Sequence, residues 1–215
     1  NDALVKYAVK QLGSDSSLFN VVFLRAIFTS LLILLSIFLF GKFNFKKIFY
    51  DKNSYIRGVF ECFAAFTFLT ALMLMPMAVT YTLLNTVPLI VTAASAILLG
   101  EKVGIRRWSA VIIGFIGVLI VINPTNLIFG FIFILPILSA IFLTMRDVIT
   151  KSYKDTSNSL ELIFITSLLV TISFGIVSIF FPIKINYESV LYIGVASIAL
   201  VLAYLFSVLT IIYAP

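Results

Sequence analysis

Long runs of apolar residues, separated by short polar segments, dominate the chain. Residues 21–41 form one such run, broken only by Arg25, and residues 62–100 contain no charged residue at all. A membrane-spanning helix needs about 20 apolar residues, because each residue adds about 1.5 Å across a hydrocarbon core about 30 Å thick. The pattern therefore predicts a chain made of membrane-spanning helices.

Turn-forming residues divide the two longest runs. Pro76 lies inside one of them, and Asn-Pro-Thr-Asn at residues 123–126 lies near the middle of the charge-free run 108–145. Proline and asparagine at such points favour a turn over a continued helix. The predicted spans are residues 21–41, 57–75, 78–100, 107–123, 129–150, 160–181 and 189–211.

The two ends of the chain have the pattern of incomplete elements. Residues 1–12 would cover only about 18 Å as a helix, less than the hydrocarbon core, and the chain stops at Pro215, where a further helix should begin. We therefore expect the chain to be truncated at both ends, with residues 1–12 as half of an eighth helix. A short interfacial helix is the alternative, because Lys6 and Lys10 could lie among the lipid headgroups.

Lysine and arginine are concentrated in alternate loops. The loops after the predicted spans 21–41, 78–100 and 129–150 carry eleven basic residues, whereas the opposite loops carry only Lys184. The eleven are Lys42, Lys46, Lys47, Lys52, Arg57, Lys102, Arg106, Arg107, Arg146, Lys151 and Lys154. Because basic loops remain in the cytoplasm, this asymmetry predicts a multi-pass protein with its basic loops on the cytoplasmic side.

Composition excludes several other classes of protein. Hydrophobic residues make up 62% of the 215 residues and charged residues 11%, against about 25% charged in a soluble domain. A soluble fold of this size cannot bury so much apolar surface. One cysteine and no histidine exclude an internal disulfide and histidine-based metal or catalytic sites. Since no phosphate-binding loop or nucleophile motif is found either, we expect no cofactor, no metal and no enzyme activity.

A weak internal repeat relates two parts of the chain at an offset of 137 residues. Residues 29–32 match residues 166–169 as Thr-Ser-Leu-Leu, and residues 47–51 resemble residues 184–188. Apolar matches arise easily by chance, but matches of Thr, Ser, Lys and Tyr in one register favour a true repeat. Five predicted helices separate the two copies, so the copies would cross the membrane in opposite directions. Inverted repeats of this kind are typical of secondary transporters.

Six short motifs follow one another in order along the chain. They are Phe-Leu-Arg at 23–25, Asn-Thr-Val-Pro-Leu at 85–89, Leu-Gly-Glu-Lys at 99–102, Arg-Trp at 107–108, Gly-Phe-Ile-Gly-Val at 114–118 and Met-Arg-Asp-Val-Ile-Thr-Lys at 145–151. In this order they resemble the drug/metabolite transporter superfamily, specifically its EamA-type family. The resemblance implies an all-α polytopic bundle with an inverted five-plus-five repeat, of which about 7.5 of ten helices are present. It also implies two EamA repeats, at residues 1–123 and 124–215, and a bacterial-type inner membrane.

Polar residues at membrane depth mark the predicted substrate cavity. Pro88 removes one backbone hydrogen bond in the middle of a span and leaves the Leu84 carbonyl without that partner. Thr82, Asn85 and Thr86 share one helix face by their spacing, and hydrogen bonding between helices is their alternative role. The predicted cavity residues are Asp2, Lys6, Tyr81, Thr82, Asn85, Thr86, Pro88 and Tyr204.

Ionisable residues inside spans need a partner or a function, because an isolated charge in lipid is costly. Asp2 would lie near the membrane midplane if Leu12 marks the outer end of its helix. Arg25 could reach the outer headgroups or bind an anionic group. Glu61 could pair with Arg57 one turn earlier, or it could exchange protons.

Two further acidic residues lie toward the predicted cytoplasmic side. Glu101 could anchor a loop through its basic neighbours or form a gate salt bridge. Asp147 precedes Lys151 by four residues, a favourable spacing for an ion pair on one helix. The predicted coupling or gate residues are Arg25, Glu61, Glu101 and Asp147.

The combined features predict a secondary active transporter. Such a permease would move a small metabolite, such as an amino acid or a derivative, by alternating access, with protons as the coupling ion. Its partners would be the solute and the lipid bilayer, without nucleic acid, and it would be a monomer or a homodimer. A non-transporting scaffold, a channel and an integral-membrane lipid enzyme are the alternatives. An enzyme would need polar catalytic groups clustered at one interface, whereas the loops are short and mainly basic.

Overall fold

Helices are the only regular elements in the part of the chain that the structure describes. This structure, a computed structural model, describes residues 4, 5, 7, 9, 18–40, 51–98, 100, 103–122, 131–152, 159–181 and 186–213. In chain order, the helices are α1 (Leu18–Phe40), α2 (Lys52–Leu74), α3 (Met77–Leu84), α4 (Val87–Leu98), α5 (Ile105–Ile122), α6 (Ile134–Ser152), α7 (Ser159–Ser178) and α8 (Tyr187–Tyr213). Within residues 1–12, the described Leu4, Val5, Tyr7 and Val9 are helical as well.

Six helical stretches among the described residues are long and apolar enough to cross a membrane. They are Leu18–Leu39, Lys52–Leu74, Met77–Ile97, Phe131–Lys151, Glu161–Ser178 and Tyr187–Phe206. Each corresponds to one span that the hydropathy pattern predicts, and α5 corresponds to the predicted span 107–123. The prediction of an all-α polytopic membrane protein is therefore confirmed.

Pro76 separates two helices, as predicted. Its backbone, with φ −57° and ψ 136°, lies between the end of α2 and the start of α3. Its carbonyl accepts the Thr80 amide at 3.1 Å, so α3 begins immediately after the proline. Proline is tolerated at this point because the first amides of a helix have no partner within that helix. The predicted turn at residues 123–126 lies outside the described residues.

The start of α2 corrects the prediction that Arg57 belongs to a loop. The Asp51 carboxylate accepts the Asn53 amide at 3.2 Å and the Ser54 hydroxyl, and so caps a helix that begins at Lys52. Arg57 consequently lies inside the helix and is buried. Hydropathy located only the apolar run, whereas a side-chain cap allows the helix to begin several polar residues earlier.

The described residues form two compact units, and each is described by itself. Unit 1 comprises Asn1–Val59 and Tyr153–Pro215, and unit 2 comprises Phe60–Ser152. These limits differ from those of the predicted sequence repeats, 1–123 and 124–215. The two sequence repeats therefore stay a prediction, and the two compact units are a different division of the chain.

In unit 1, helix α1 packs against both α7 and α8. A buried apolar cluster joins the three helices; its members are Ile33, Ile37, Leu162, Ile163 and Val201. At the other end of α1, Phe19 stacks with Phe174 and Phe181, with ring centroids 6.1 and 6.0 Å apart. Apolar side chains therefore fill the contacts among these helices along most of α1.

Hydrogen bonds between α1 and the α7 segment define an antiparallel register. The Asn20 amide donates to the Phe181 carbonyl at 3.4 Å, and the Ser30 and Thr171 hydroxyls lie 3.0 Å apart. Continuing this register by two residues places Leu32 opposite Leu169. These leucines are also repeat partners at the 137-residue offset. This register is the one that the predicted inverted repeat would have if a local two-fold axis passed between these two leucines.

One pair of repeat partners differs in its surroundings. Thr166 is buried and its hydroxyl accepts a hydrogen bond from the Arg57 guanidinium. Its partner Thr29 is 1% exposed, and the Thr29 hydroxyl has no hydrogen-bond partner among the described residues. The residue 137 positions after Arg57 is Gly194, which has no side chain to donate. The two positions that the predicted repeat pairs therefore differ by a buried charge.

In unit 2, helices α3 and α4 pack on α6, and α5 packs on α3 and α4. The Ser139 hydroxyl of α6 donates to the Ala64 carbonyl of α2 at 3.0 Å. A Cβ atom at Gly114 of α5 would lie 2.7 Å from a Leu89 methyl of α4. Glycine at this position therefore permits α5 to pack closely on α4, and a hydrogen bond links α6 to α2.

We predict that the hydroxyl pair between α1 and α7 contributes measurably to stability. Because Thr171 also donates to the Ser167 carbonyl at 2.8 Å, Ser30 is the donor between the two hydroxyls. Ser30→Ala and Thr171→Val should each lower the free energy of unfolding in mixed micelles by about 0.6 kcal/mol, a usual value between membrane helices. Together they should lower it by less than the sum of the single effects.

Thr67→Val is the matched control, since the Thr67 hydroxyl donates only to carbonyls of its own helix in the bonds described, those of Phe63 and Ala64. It should lower the free energy of unfolding by less than either Ser30→Ala or Thr171→Val. Strict additivity of the Ser30 and Thr171 effects would contradict the proposed coupling between the two hydroxyls.

Candidate functional site

A cluster of three charged side chains lies between α2 and α6 in unit 2. The Arg146 guanidinium donates through Nη1 to Glu61 Oε2 at 2.7 Å. It donates through Nε to Asp147 Oδ1 at 2.8 Å, and its Nη2 lies 2.7 Å from the same oxygen. The side chains of Glu61, Arg146 and Asp147 are 10%, 13% and 15% exposed. One arginine is therefore shared by two carboxylates in a largely buried environment.

The cluster lies well inside the membrane-spanning stretches. Glu61 follows Lys52 by nine residues, which is about 13 Å along the helix. Arg146 precedes Ser152 by six residues, or about 9 Å. Glu61 is thus deeper than the sequence indicates, because α2 begins earlier than its predicted span. At this depth the desolvation of each charge is costly unless a partner compensates it.

Two more basic residues lie one turn along the chain from members of this cluster. Arg57 precedes Glu61 by four residues on α2, and Lys151 follows Asp147 by four residues on α6. Side chains with this spacing lie on the same face of a helix.

Arg146 is the member of the cluster that sequence reasoning missed. The sequence pattern places it among the basic loop residues, and for Glu61 it offers either a pair with Arg57 or proton exchange. In the structure, Glu61 accepts from Arg146, which is 85 positions away, and the Arg57 guanidinium donates to Thr166. The available signal was the position of Arg146 inside the predicted span 129–150, where a charge requires a partner.

A second feature of unit 2 is an interruption in one membrane span. Helix α3 ends at Leu84 and α4 begins at Val87. The Thr86 amide donates to the Leu83 carbonyl at 3.1 Å and the Leu89 amide to the Thr86 carbonyl at 3.0 Å, so the turn tightens to three residues there. On either side, the Asn85 amide still donates to the Tyr81 carbonyl at 2.9 Å and the Ile90 amide to the Thr86 carbonyl at 3.0 Å, with the regular four-residue spacing. Pro88 has no N–H to offer the Leu84 carbonyl. Discontinuous helices of this kind form substrate and ion sites in many transporters.

The polar side chains near the interruption point in different directions. Thr86 is buried and donates to the Leu83 carbonyl at 2.7 Å, whereas Asn85 and Pro88 are exposed. Thr82 is half-buried. The spacing predicts one shared face for Thr82, Asn85 and Thr86, but the structure separates Thr86 from Asn85. The reason is that the three-residue turn at 85–86 changes the regular rotation on which that prediction depends.

Hydrogen bonds and ring contacts within unit 2 hold the residues just before the interruption. The Thr82 hydroxyl donates to the Ala78 carbonyl at 2.9 Å. The Tyr81 ring meets the Phe68 ring edge-on, with centroids 5.5 Å apart. Among the predicted cavity residues that the structure describes, Asn85 has an exposed side chain that offers both a hydrogen-bond donor and an acceptor.

The remaining predicted site residues lie elsewhere. Arg25 is half-buried in α1 of unit 1, and its carbonyl accepts the Ser197 hydroxyl at 3.2 Å. Tyr204 of α8 packs against the apolar cluster of unit 1. Asp2, Lys6 and Glu101 lie outside the described residues. Their roles stay predictions, and the described part of the site consists of the charged cluster and the interrupted helix.

Metal ligands are not grouped in the described part of the chain. No set of three or more His, Cys, Asp or Glu side chains there could hold a metal ion. Cys62, next to Glu61, is a buried free thiol, 8% exposed. The interactions that these described residues make are hydrogen bonds and ion pairs.

Several membrane-spanning helices, an interrupted span and a buried ion cluster define a polytopic membrane protein of the kind that includes solute transporters. The EamA-like transporter family matches residues 3–123, more than half of the 215 residues. The chain therefore belongs to the EamA-like transporter family, as its motifs predict. This is a family of transporters and not of enzymes.

Curated relatives carry transporter names as well. The chain is 26% identical over 169 residues to the S-adenosylmethionine uptake transporter of Rickettsia prowazekii (strain Madrid E), covering 79% of this chain and 56% of the relative. It is 25% identical to the protein of the same name from Rickettsia felis, covering 80% and 57%. A riboflavin transporter of Vibrio cholerae is 34% identical over 89 residues, covering 41% and 30%. The chain spans about half the length of the S-adenosylmethionine transporters it matches, and no solved structure matches it significantly.

We predict unequal effects of removing the two sides of the ion cluster. Arg146→Gln leaves two buried carboxylates without their guanidinium and should lower the free energy of unfolding by about 3–5 kcal/mol. Glu61→Gln should have a clearly smaller effect, because Arg146 keeps Asp147. Chemical unfolding of the purified protein in mixed micelles measures both effects.

Arg107→Gln is the matched control, because Arg107 is exposed near the start of α5. Its effect should stay within about 0.5 kcal/mol, as is usual for surface substitutions. If Glu61→Gln proved as destabilising as Arg146→Gln, the two carboxylates would not share the arginine in the way described.

Proposed function

We propose that the protein is a secondary active transporter that moves a small metabolite across the bacterial inner membrane by alternating access. Family membership and the transporter names of its relatives support this proposal. They favour it over a scaffold, a channel or a lipid enzyme. The structural observation that carries the proposal is the interruption of a membrane span at Asn85 and Thr86. Irregular backbone at membrane depth is tolerated where it lines a cavity or is buried in protein.

The interruption supplies groups that suit a polar solute. The Leu84 carbonyl, to which Pro88 donates nothing, is an acceptor, and the exposed Asn85 amide offers both donors and an acceptor. An ammonium group would bind the acceptors, and a carboxylate or hydroxyl would bind the amide N–H groups. An amino acid or a derivative such as S-adenosylmethionine carries both kinds of group. We therefore propose this substrate class, with Asp2, Lys6 and Tyr204 as further candidates.

The ion cluster suits a role in coupling. Glu61 links α2 to α6 through Arg146 within unit 2. Protonation of Glu61 would remove its charge and weaken that link. Proton uptake would in this way be connected to a change in the packing of two helices. The basic residues flanking α2 support an orientation with the cluster toward the cytoplasm.

Counterflow in liposomes tests the proposed substrate site. The protein expressed from its natural gene would be reconstituted and supplied with radiolabelled amino acids, S-adenosylmethionine or riboflavin, with and without a pH gradient. We expect saturable counterflow of one solute. Asn85→Ala should raise the KM for that solute about tenfold, the effect of losing one hydrogen bond worth about 1.4 kcal/mol.

Asn53→Ala is the matched control, because Asn53 is an exposed asparagine near the start of α2. It should transport with the KM of the wild type. An Asn85→Ala protein with unchanged KM and unchanged maximal rate would rule out the interruption as the substrate site. Dependence of the rate on the pH gradient separates proton coupling from facilitated diffusion.

A further inference from the structure

Thr29 of α1 is the exception to a hydrogen-bond pattern that the other described threonines share. Each of the others donates its hydroxyl to a carbonyl three or four residues earlier, as threonine in a helix commonly does. They are Thr67, Thr70, Thr80, Thr82, Thr86, Thr92, Thr144, Thr150, Thr166, Thr171 and Thr210. Thr29 is 1% exposed, yet its hydroxyl has no hydrogen-bond partner among the described residues.

The acceptor that Thr29 would use is occupied from another helix. The carbonyl one turn before Thr29 is that of Arg25, and it accepts the Ser197 hydroxyl of α8 at 3.2 Å. A carbonyl oxygen has two lone pairs, and in a helix the amide four residues later uses one of them. Because Ser197 uses the other, the Thr29 hydroxyl is left without its ordinary acceptor.

Ser197 has a second acceptor on its own helix. Its hydroxyl also donates to the Ile193 carbonyl, one turn earlier on α8, at 2.7 Å. The single hydroxyl hydrogen is therefore shared between two carbonyls, and the bond within α8 is the shorter one. If α8 moves away from α1, Ser197 keeps the Ile193 carbonyl, and Thr29 becomes able to donate to the Arg25 carbonyl. Two complete hydrogen bonds then replace one shared bond and one unpaired hydroxyl.

This polar contact lies at one end of the α1–α8 packing. Arg25 follows Leu18, the first residue of α1, by seven residues, or about 10 Å, and α1 begins on the predicted outer side. Ile33 and Val201 lie further along the two helices and belong to the buried apolar cluster. The exchangeable hydrogen bond is therefore nearer the predicted outer side than the apolar part of the contact.

We propose that Thr29 and Ser197 exchange places on the Arg25 carbonyl, which allows the outer parts of α1 and α8 to separate without leaving that carbonyl short of a donor. Ser197 donates to it when the helices are together, and Thr29 donates to it when they are apart. The proposal rests on the proposed transport function, in which separation of helices is one step of alternating access.

A double-mutant cycle tests the exchange in the protein expressed from its natural gene. In the otherwise wild-type protein, Thr29→Val removes a buried, unpaired hydroxyl and should lower the equilibrium constant of unfolding in mixed micelles by about tenfold. In the Ser197→Ala protein, Thr29 regains its acceptor, so Thr29→Val should instead raise that constant by about threefold. The effect of one substitution therefore changes sign with the other.

Thr144→Val is the matched control, because Thr144 is also buried and its hydroxyl donates to the Ala140 carbonyl at 2.8 Å. It should raise the unfolding constant by about threefold both with and without Ser197. If Thr29→Val raised the constant by the same factor in both backgrounds, Thr29 would be hydrogen-bonded throughout, and the exchange would be overturned.

A distance measurement tests whether the contact opens. Spin labels would be attached at Phe28→Cys on α1 and Val195→Cys on α8, two exposed positions, in a Cys62→Ser protein in liposomes. We expect two populations of distances between the labels. Thr29→Val should increase the share of the shorter distance, and Ser197→Ala should increase the share of the longer one.

One distance distribution, the same in all three proteins, would overturn the proposal. Neither measurement needs transport, so failure of the exchange and failure of the transport function can be told apart. Counterflow of a solute without any change in the distances would leave the transport function standing and overturn the exchange. The expected shifts without counterflow of any solute would support the exchange and count against the transport function.

Discussion

The hydrocarbon core of a membrane offers no hydrogen-bond partners, so the polar groups of the membrane spans must find their partners within the protein. The hydroxyls of Thr67, Thr144 and Thr171 each donate to the carbonyl one turn earlier, so the polar atoms are compensated inside their own helix. The features that suggest function are the departures from this pattern. At Asn85 and Thr86 the backbone leaves the regular helix, and at Arg146 a charge needs partners from two helices.

The same constraint explains why so much of the fold could be predicted. A span must be both long and apolar, so hydropathy alone located the helices, and Pro76 divided one apolar run where the structure divides it. The family could also be identified, because its motifs lie within the spans and at their ends. These signals are local in sequence, so they can be used without any knowledge of how the helices pack.

What could not be predicted depends on distant contacts or on capping. The ion pair of Glu61 with Arg146 joins residues 85 positions apart, and the burial of Arg57 depends on a helix that Asp51 allows to begin early. Pro88 indicated a missing hydrogen bond, but the opposite orientations of Asn85 and Thr86 follow from the exact place at which the helix is interrupted. Hydropathy carries no information on either point.

The difference between Arg57 and Gly194 has a consequence for energetics. In a carrier made of two identical inverted halves, the forms open to either side of the membrane would be related by a two-fold rotation and would have the same free energy. A buried arginine at one repeat position and a glycine at the other removes that equality. Under the proposed alternating-access function, the forms open to the two sides of the membrane would then have unequal free energies at rest.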